Sequence, residues 1–186
     1  HCVQHLLEAR TEPLKGWWNG HADCQIFQPT LLTPTKRLDN WGLQWYWPGY
    51  GISHRTWLWH PTAFAGSCYL MPRRLWQEQG FDQQLETSHE DIDFCLAVQQ
   101  RNIFPFIVYR ANAVHLGNAT LRHQPSHNRA AFHRDRVYII KKHYHGLQRL
   151  LRLAAVNLLD SFPRFSRTNN RGYNHSRHDT DGSHHT

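Results

Sequence analysis

Three carboxylates open the stretch TSHEDIDFCLAVQQRNI, residues 87–103: Glu90, Asp91 and Asp93. They stand where an apolar pattern of helical period begins, which predicts a helix of about three turns with an acidic first turn. Such acids can do two kinds of work. Thr87 with Glu90, and Ser88 with Asp91, have the capping-box spacing, in which a hydroxyl and an acid satisfy orphan backbone donors. First-turn acids also gain ~0.3–1 kcal/mol from the helix dipole. Alternatively, a carboxylate fixed at a helix start can serve as the base that takes a proton from a bound hydroxyl. The local pattern leaves both readings open.

Other residues with chemical potential surround this stretch. Gly66-Ser67 is a small pair inside the apolar run TAFAGSCYLMP, and Arg73-Arg74 follow it. His115 ends a second apolar run. Trp41, Trp45 and Trp47 could stack on sugar rings or fill a core. Four Cys stand at 2, 24, 68 and 95 with no CxxC pair, so a reduced, cytoplasmic protein without a disulfide framework is expected.

Several elements must position these groups. HCVQHLLEAR suits the end of a helix, and CQIFQPTLL contains a short strand. TPTKRLDNWG is a loop or hairpin, while LQWYWPGYGISHRTWLWHP, broken by Pro and Gly, predicts an irregular excursion. TAFAGSCYLMP predicts a buried strand. Pro72 starts a short helix that Gly80 closes, and FPFIVYRANAVHL predicts one or two strands. Alternating strands and helices indicate an α/β domain. From His133 to Phe162 apolar residues recur every three or four positions with Lys141, Lys142, Arg149 and Arg152 between them, an amphipathic helical segment. That face either packs on the domain or lies on an anionic membrane. The remaining tail is nearly free of apolar residues and predicts disorder, with His175, His178, His184 and His185 as loose metal ligands at most. The expected organisation is a domain over 1–132, a helical segment over 133–163 and a tail over 164–186.

Basic residues outnumber acidic ones by 21 to 14, which suits anionic partners. No nucleic-acid-binding motif accompanies that charge, so no nucleic-acid partner is expected. No apolar run reaches the roughly 20 residues that span a bilayer, and no signal peptide is recognisable. The chain begins with His1 and its one Met is Met71, so further sequence upstream is expected.

Taken in order, Gly66-Ser67, Arg73-Arg74, Gly80-Phe81-Asp82, Glu90-Asp91-Ile92-Asp93-Phe94 and Ala113-Val114-His115 resemble the second half of family 2 glycosyltransferases. The resemblance runs from about Ile26 to Tyr144. Gln79 and Gln83 depart from residues common in that pattern. The resemblance implies a partial GT-A fold lacking its nucleotide-binding half and its Asp-x-Asp metal motif. It implies an inverting glycosyltransferase that moves a sugar from a nucleotide-sugar donor to a saccharide or lipid-linked acceptor, in polysaccharide or glycolipid synthesis. Asp91 would be the base and Glu90 would hydrogen-bond acceptor or backbone, while Asp93 would support the turn. Gly66 and Ser67 would leave room for substrate, Trp41 would contact sugar, and Arg73 and Arg74 would meet phosphate. His115 would join a Mg²⁺ or Mn²⁺ site whose other ligands lie upstream. The alternative is an inactive remnant or a saccharide-binding module. Peripheral membrane contact is compatible with either.

Overall fold

The computed structural model describes residues 1–11, 26–40, 42–53, 61–85, 89–116 and 128–162. It is a mixed α/β arrangement: α1 (Cys2–Thr11), β1 (Ile26–Leu32), β2 (Leu38–Asn40), β3 (Leu43–Tyr46), β4 (Tyr50–Ser53), α2 (Arg73–Gln79), α3 (Glu90–Gln99), β5 (Pro105–Val114), α4 (Asn128–His143) and α5 (Gly146–Ser161).

β1 is the centre of a three-stranded sheet, with β2 antiparallel on one side and β5 parallel on the other. The loop-or-hairpin segment is thus a hairpin, closed where Thr33 N–H donates to Arg37 O (2.8 Å). A parallel partner needs a long crossover, and everything from β2 to α3 forms it. Pro29 sits inside β1, and a proline cannot donate to a ladder. The register with β5 slips at that point: Pro29 pairs with Val108, but Thr30 pairs with Asn112. Pro29 therefore interrupts the strand without ending it.

Two expectations are corrected here. The first part of the aromatic segment, residues 43–53, is a regular hairpin, with Leu43 opposite Ser53 and Tyr46 opposite Tyr50, while 54–60 lie outside the described residues. Small residues explain this, because Gly49 and Gly51 face Ile140 and Ile92 so closely that a Cβ would lie 2.8 and 2.5 Å from their terminal methyls. Conversely, TAFAGSCYLMP is not a strand. It touches the sheets only through single antiparallel bridges, Ala63 to Leu43 and Leu70 to Phe27, and turns between them at Gly66-Ser67. Side chains take its middle amides instead of a neighbouring strand: Gln28 Oε1 accepts from Ala65 N–H (2.6 Å) and Asp91 Oδ2 from Gly66 N–H (3.0 Å).

The main core joins Ile26, Phe64, Ile92, Phe94, Val98, Ile139, Ile140 and Val156, so both C-terminal helices bury residues in it. α4 starts at Asn128, and the expected helical segment comprises two helices broken at Tyr144–His145. A smaller cluster of Leu6, Ala9, Phe27, Val108 and Ala111 fixes α1 on the sheet. Cys2, Cys68 and Cys95 are free thiols. Cys24 and the tail from 163 onward lie outside the described residues. Among the described residues no helix is long and apolar enough to cross a membrane.

Candidate functional site

α3 begins at Glu90 with His89 as its N-cap, and the His89 side chain makes no capping hydrogen bond. Neither capping-box pair is in register with that start, and Thr87 and Ser88 lie outside the described residues. The acids of the first turn are therefore free for other contacts. Residues two apart on a helix point roughly 200° apart around its axis. Asp91 and Asp93 accordingly serve opposite sides of α3.

Asp93, only 1% exposed at its side chain, faces α4. Its Oδ2 accepts from Lys142 Nζ (2.8 Å) and its Oδ1 meets His143 Nε2 (2.7 Å). Lys142 also reaches Asp82 Oδ2 (2.7 Å), which Tyr138 O–H bonds as well (2.7 Å). These bonds hold Asp82 down to about 2, with the Lys142 hydrogen bond the largest cause. The expectation that Asp93 supports the turn is replaced by a different role: it clamps α3 to α4.

Asp91 is 6% exposed and faces the Gly66-Ser67 turn. Besides Gly66 N–H on Oδ2, Ile92 N–H donates to Oδ1 (2.7 Å). Among the described residues no Lys, Arg or His pairs with it. Burial, then the neighbouring Glu90 charge, push its carboxyl up to about 8, against the bonds from Gly66 and Ile92. The helix dipole acts the other way and favours the ionised form. The dipole offers ~0.3–1 kcal/mol, whereas burying an unpaired carboxylate costs several kcal/mol, so burial wins.

Gly66 and Ser67 are exposed, so the turn that holds Asp91 has an outward side. A Cβ at Gly66 would lie 3.5 Å from Asp91 Oδ2 and 3.7 Å from Glu90 Oε1. Residues 66, 90 and 91, distant in sequence, are thereby in one place. Sequence reasoning missed two supports of this place. Gln28 is fully buried in β1 and holds the Ala65 amide, while its Nε2 has no partner. A lone Gln inside the apolar run IFQPTLL was the available signal. His89 is also buried, with its ring edge-on to Trp45 and Phe132 and Nδ1 3.9 Å from Asp135. Burial, then the Arg136 charge, lower it to about 4, so it is neutral at physiological pH.

The remaining predicted residues lie elsewhere. His115 follows the end of β5, its amide on Leu32 O and its Nδ1 on Asp39 Oδ2, both at 2.7 Å. Leu32 is four positions along β1 from Gln28, roughly 13 Å at ~3.3 Å per residue, so His115 is remote from Asp91. Among the described residues no group of three or more His, Cys, Asp or Glu could hold a metal ion. Arg73 is exposed on α2, and Arg74, 89% exposed, bonds Glu78 Oε1 at 2.6 Å. Trp45 is buried in the core beside His89, Trp47 is exposed, and Trp41 lies outside the described residues. In comparisons with known proteins, no family model, curated protein or solved structure gives a significant match to the chain.

Proposed function

We propose that this chain carries the acceptor-activating part of an inverting glycosyltransferase, completed by nucleotide-binding sequence upstream in a GT-A arrangement. One observation carries the reading: the Gly66 amide bonds Asp91 Oδ2, joining two pieces of the motif pattern 25 residues apart. Convergence of Gly66, Glu90 and Asp91 is what a shared site requires and what scattered chance matches would lack.

In this reading the Asp91 carboxylate takes the proton of an acceptor hydroxyl while its oxygen attacks the anomeric carbon. The bond from that carbon to the diphosphate oxygen breaks, and its electron pair leaves with the nucleoside diphosphate. An alcohol is a weak nucleophile, and a base with its pKa near the working pH is the most effective partner. The raised Asp91 suits that role, and unpaired buried acids concentrate at functional sites. Glu90 orients the acceptor and raises Asp91 by its charge. Gly66 and Ser67 leave space for the sugar. Arg73 and Arg74 are the phosphate-facing candidates and Trp41 a sugar-stacking one. A Mg²⁺ or Mn²⁺ ion belongs to the same proposal. His115 and Asp39 supply two donors, fewer than either ion takes, so its other ligands are assigned upstream.

The test is release of nucleoside diphosphate by the full-length protein, offered a panel of nucleotide sugars with Mg²⁺ or Mn²⁺ and mixed saccharide and lipid-linked acceptors. Acceptor-dependent release that Asp91→Asn removes, with unchanged circular dichroism, is the expected result. Release that survives Asp91→Asn overturns the base assignment. Binding of saccharide without release by the wild-type protein favours the remnant or saccharide-binding module.

A further inference from the structure

α5 buries Val156 and packs Leu153 on the main core, and it carries a second apolar row on its outer side. Its inward side carries the fully buried Val156 together with half-buried Arg149, Arg152 and Asp160. Two of those groups are engaged: Arg152 stacks on Tyr144 and donates to Pro48 O (3.0 Å), and Asp160 Oδ1 accepts from Tyr50 O–H (3.1 Å). Leu147, Leu150, Leu151 and Leu158, with Phe162 at the C-cap, lie on the opposite side and are each between 52% and 70% exposed. No charged residue interrupts that stripe. The turn that Arg152 grips exposes Trp47 as well, at 60%.

We propose that this outward face of α5 seats in the headgroup–acyl boundary of a phospholipid bilayer. A contiguous exposed apolar stripe needs a partner, and two features select this one. First, the stripe is short: Leu147, Leu151, Ala154 and Leu158 keep heptad spacing for barely two heptads before Ser161, fewer than the three to four that mark a coiled pair with a second copy. Second, it is small. A 16-residue helix is ~24 Å long and ~10 Å wide, a footprint of roughly 240 Å². Even doubled for surface relief, that is short of the ~800 Å² per partner that stable protein pairs bury. Exposed Leu side chains along one helical face and a net charge of +7 fit a helix lying in a leaflet that contains anionic lipid. The basic side chains of α5 face the protein, so apolar insertion drives the binding and anionic headgroups only add to it. This inference is independent of the glycosyltransferase reading.

The test is co-sedimentation of the chain with phosphatidylcholine vesicles, with and without phosphatidylglycerol, at 0.1 and 0.5 M salt, between which the Debye length falls from ~10 Å to ~4 Å. The expected result is binding to both vesicles that largely persists at high salt. The triple variant Leu147→Gln/Leu151→Gln/Leu158→Gln, with unchanged circular dichroism, should lose at least about tenfold in partitioning, as ~0.8 kcal/mol per buried CH₂ implies. Absence of wild-type binding, equal binding by the variant, or binding confined to anionic vesicles at low salt overturns the proposal. So does a lipid-free dimer in analytical ultracentrifugation that the triple variant dissolves.

Discussion

Asp91→Asn should flatten the dependence of stability on pH above 6.5. Asp91 is raised in the folded chain to about 8 from a reference value of 3.8. A carboxyl with a raised folded pKa contributes fully below its unfolded pKa, and that contribution is lost as pH climbs towards the folded value. Linkage sets the slope at ~1.4 kcal/mol per pH unit. His89 works in the opposite direction. It is lowered from 6.5 to about 4, so the unfolded chain binds the extra proton and stability rises between those values. The two slopes nearly cancel from pH 4 to 6.5. Among the described residues Asp91 then dominates up to pH 8, because Asp82 titrates near 2 and the shifted thiols, tyrosines and Lys142 have ordinary values of 9 or higher. Wild-type stability should therefore fall by about 1–2 kcal/mol between pH 6.5 and 8.

The assay is urea unfolding at those two pH values for wild type and Asp91→Asn. Asn has one acceptor where Asp has two, so the variant loses a bond worth about 1 kcal/mol to Gly66 or Ile92. That loss is independent of pH and drops out when the two pH values are compared. The wild-type curve should slope down and the variant curve should not. Parallel curves would mean that Asp91 titrates in the folded chain as it does in the unfolded one, and the burial argument would be wrong.

Three further outcomes follow from the same contacts. Gly66→Ala should cost under about 1 kcal/mol, since its Cβ would meet Asp91 Oδ2 at an ordinary 3.5 Å; thermal melts check this, and the methyl should still slow the proposed transfer more than tenfold by filling the space beside the acid. Lys142→Met should destabilise by about 1–3 kcal/mol in urea titration, less than the ~3–5 kcal/mol for breaking a fully buried pair because Lys142 is 31% exposed; a double-mutant cycle with Asp93→Asn should recover part of it. The rate of the proposed transfer should rise with pH to a plateau above about 8, because the base acts only when ionised; a rate independent of pH between 6 and 9 contradicts the role given to Asp91.

Much of the fold was legible because its signals are local. Pro72 and Gly80 bracket α2, and Gly80 takes φ +56°, a conformation that glycine adopts without strain. Apolar spacing located α1, α3, β1 and β5. The failures share one cause: the information was in partners distant in sequence. The β3–β4 hairpin depends on Gly49 and Gly51 yielding room to Ile140 and Ile92, which no local window contains. TAFAGSCYLMP has the composition of a strand, yet Gln28 and Asp91 take its amides. The start of α3 read as a capping box because spacing cannot reveal that burial directs Asp91 to Gly66 and Asp93 to Lys142 and His143. At the site, residue types were legible and their environments were not.

The contrast between those two acids is the strongest physical reason to look for function at Asp91. Both are almost wholly buried on one helix, but Asp93 has a lysine and a histidine on its oxygens while Asp91 has only backbone amides. A buried carboxylate with cationic partners holds two helices together. One without them lowers stability through the physiological pH range, and the helix start does not require it. A Ser or Asn could accept the Gly66 amide without that cost. An acid that weakens the fold, beside an exposed Gly-Ser turn and a second acid that raises it further, fits the proton-acceptor role proposed for it. Glu90→Gln separates the two halves of this argument. It should lower the Asp91 pKa and reduce the stability slope between pH 6.5 and 8, and should shift the onset of transfer to lower pH by the same amount. Movement of one without the other would show that the group controlling stability is not the group controlling the reaction.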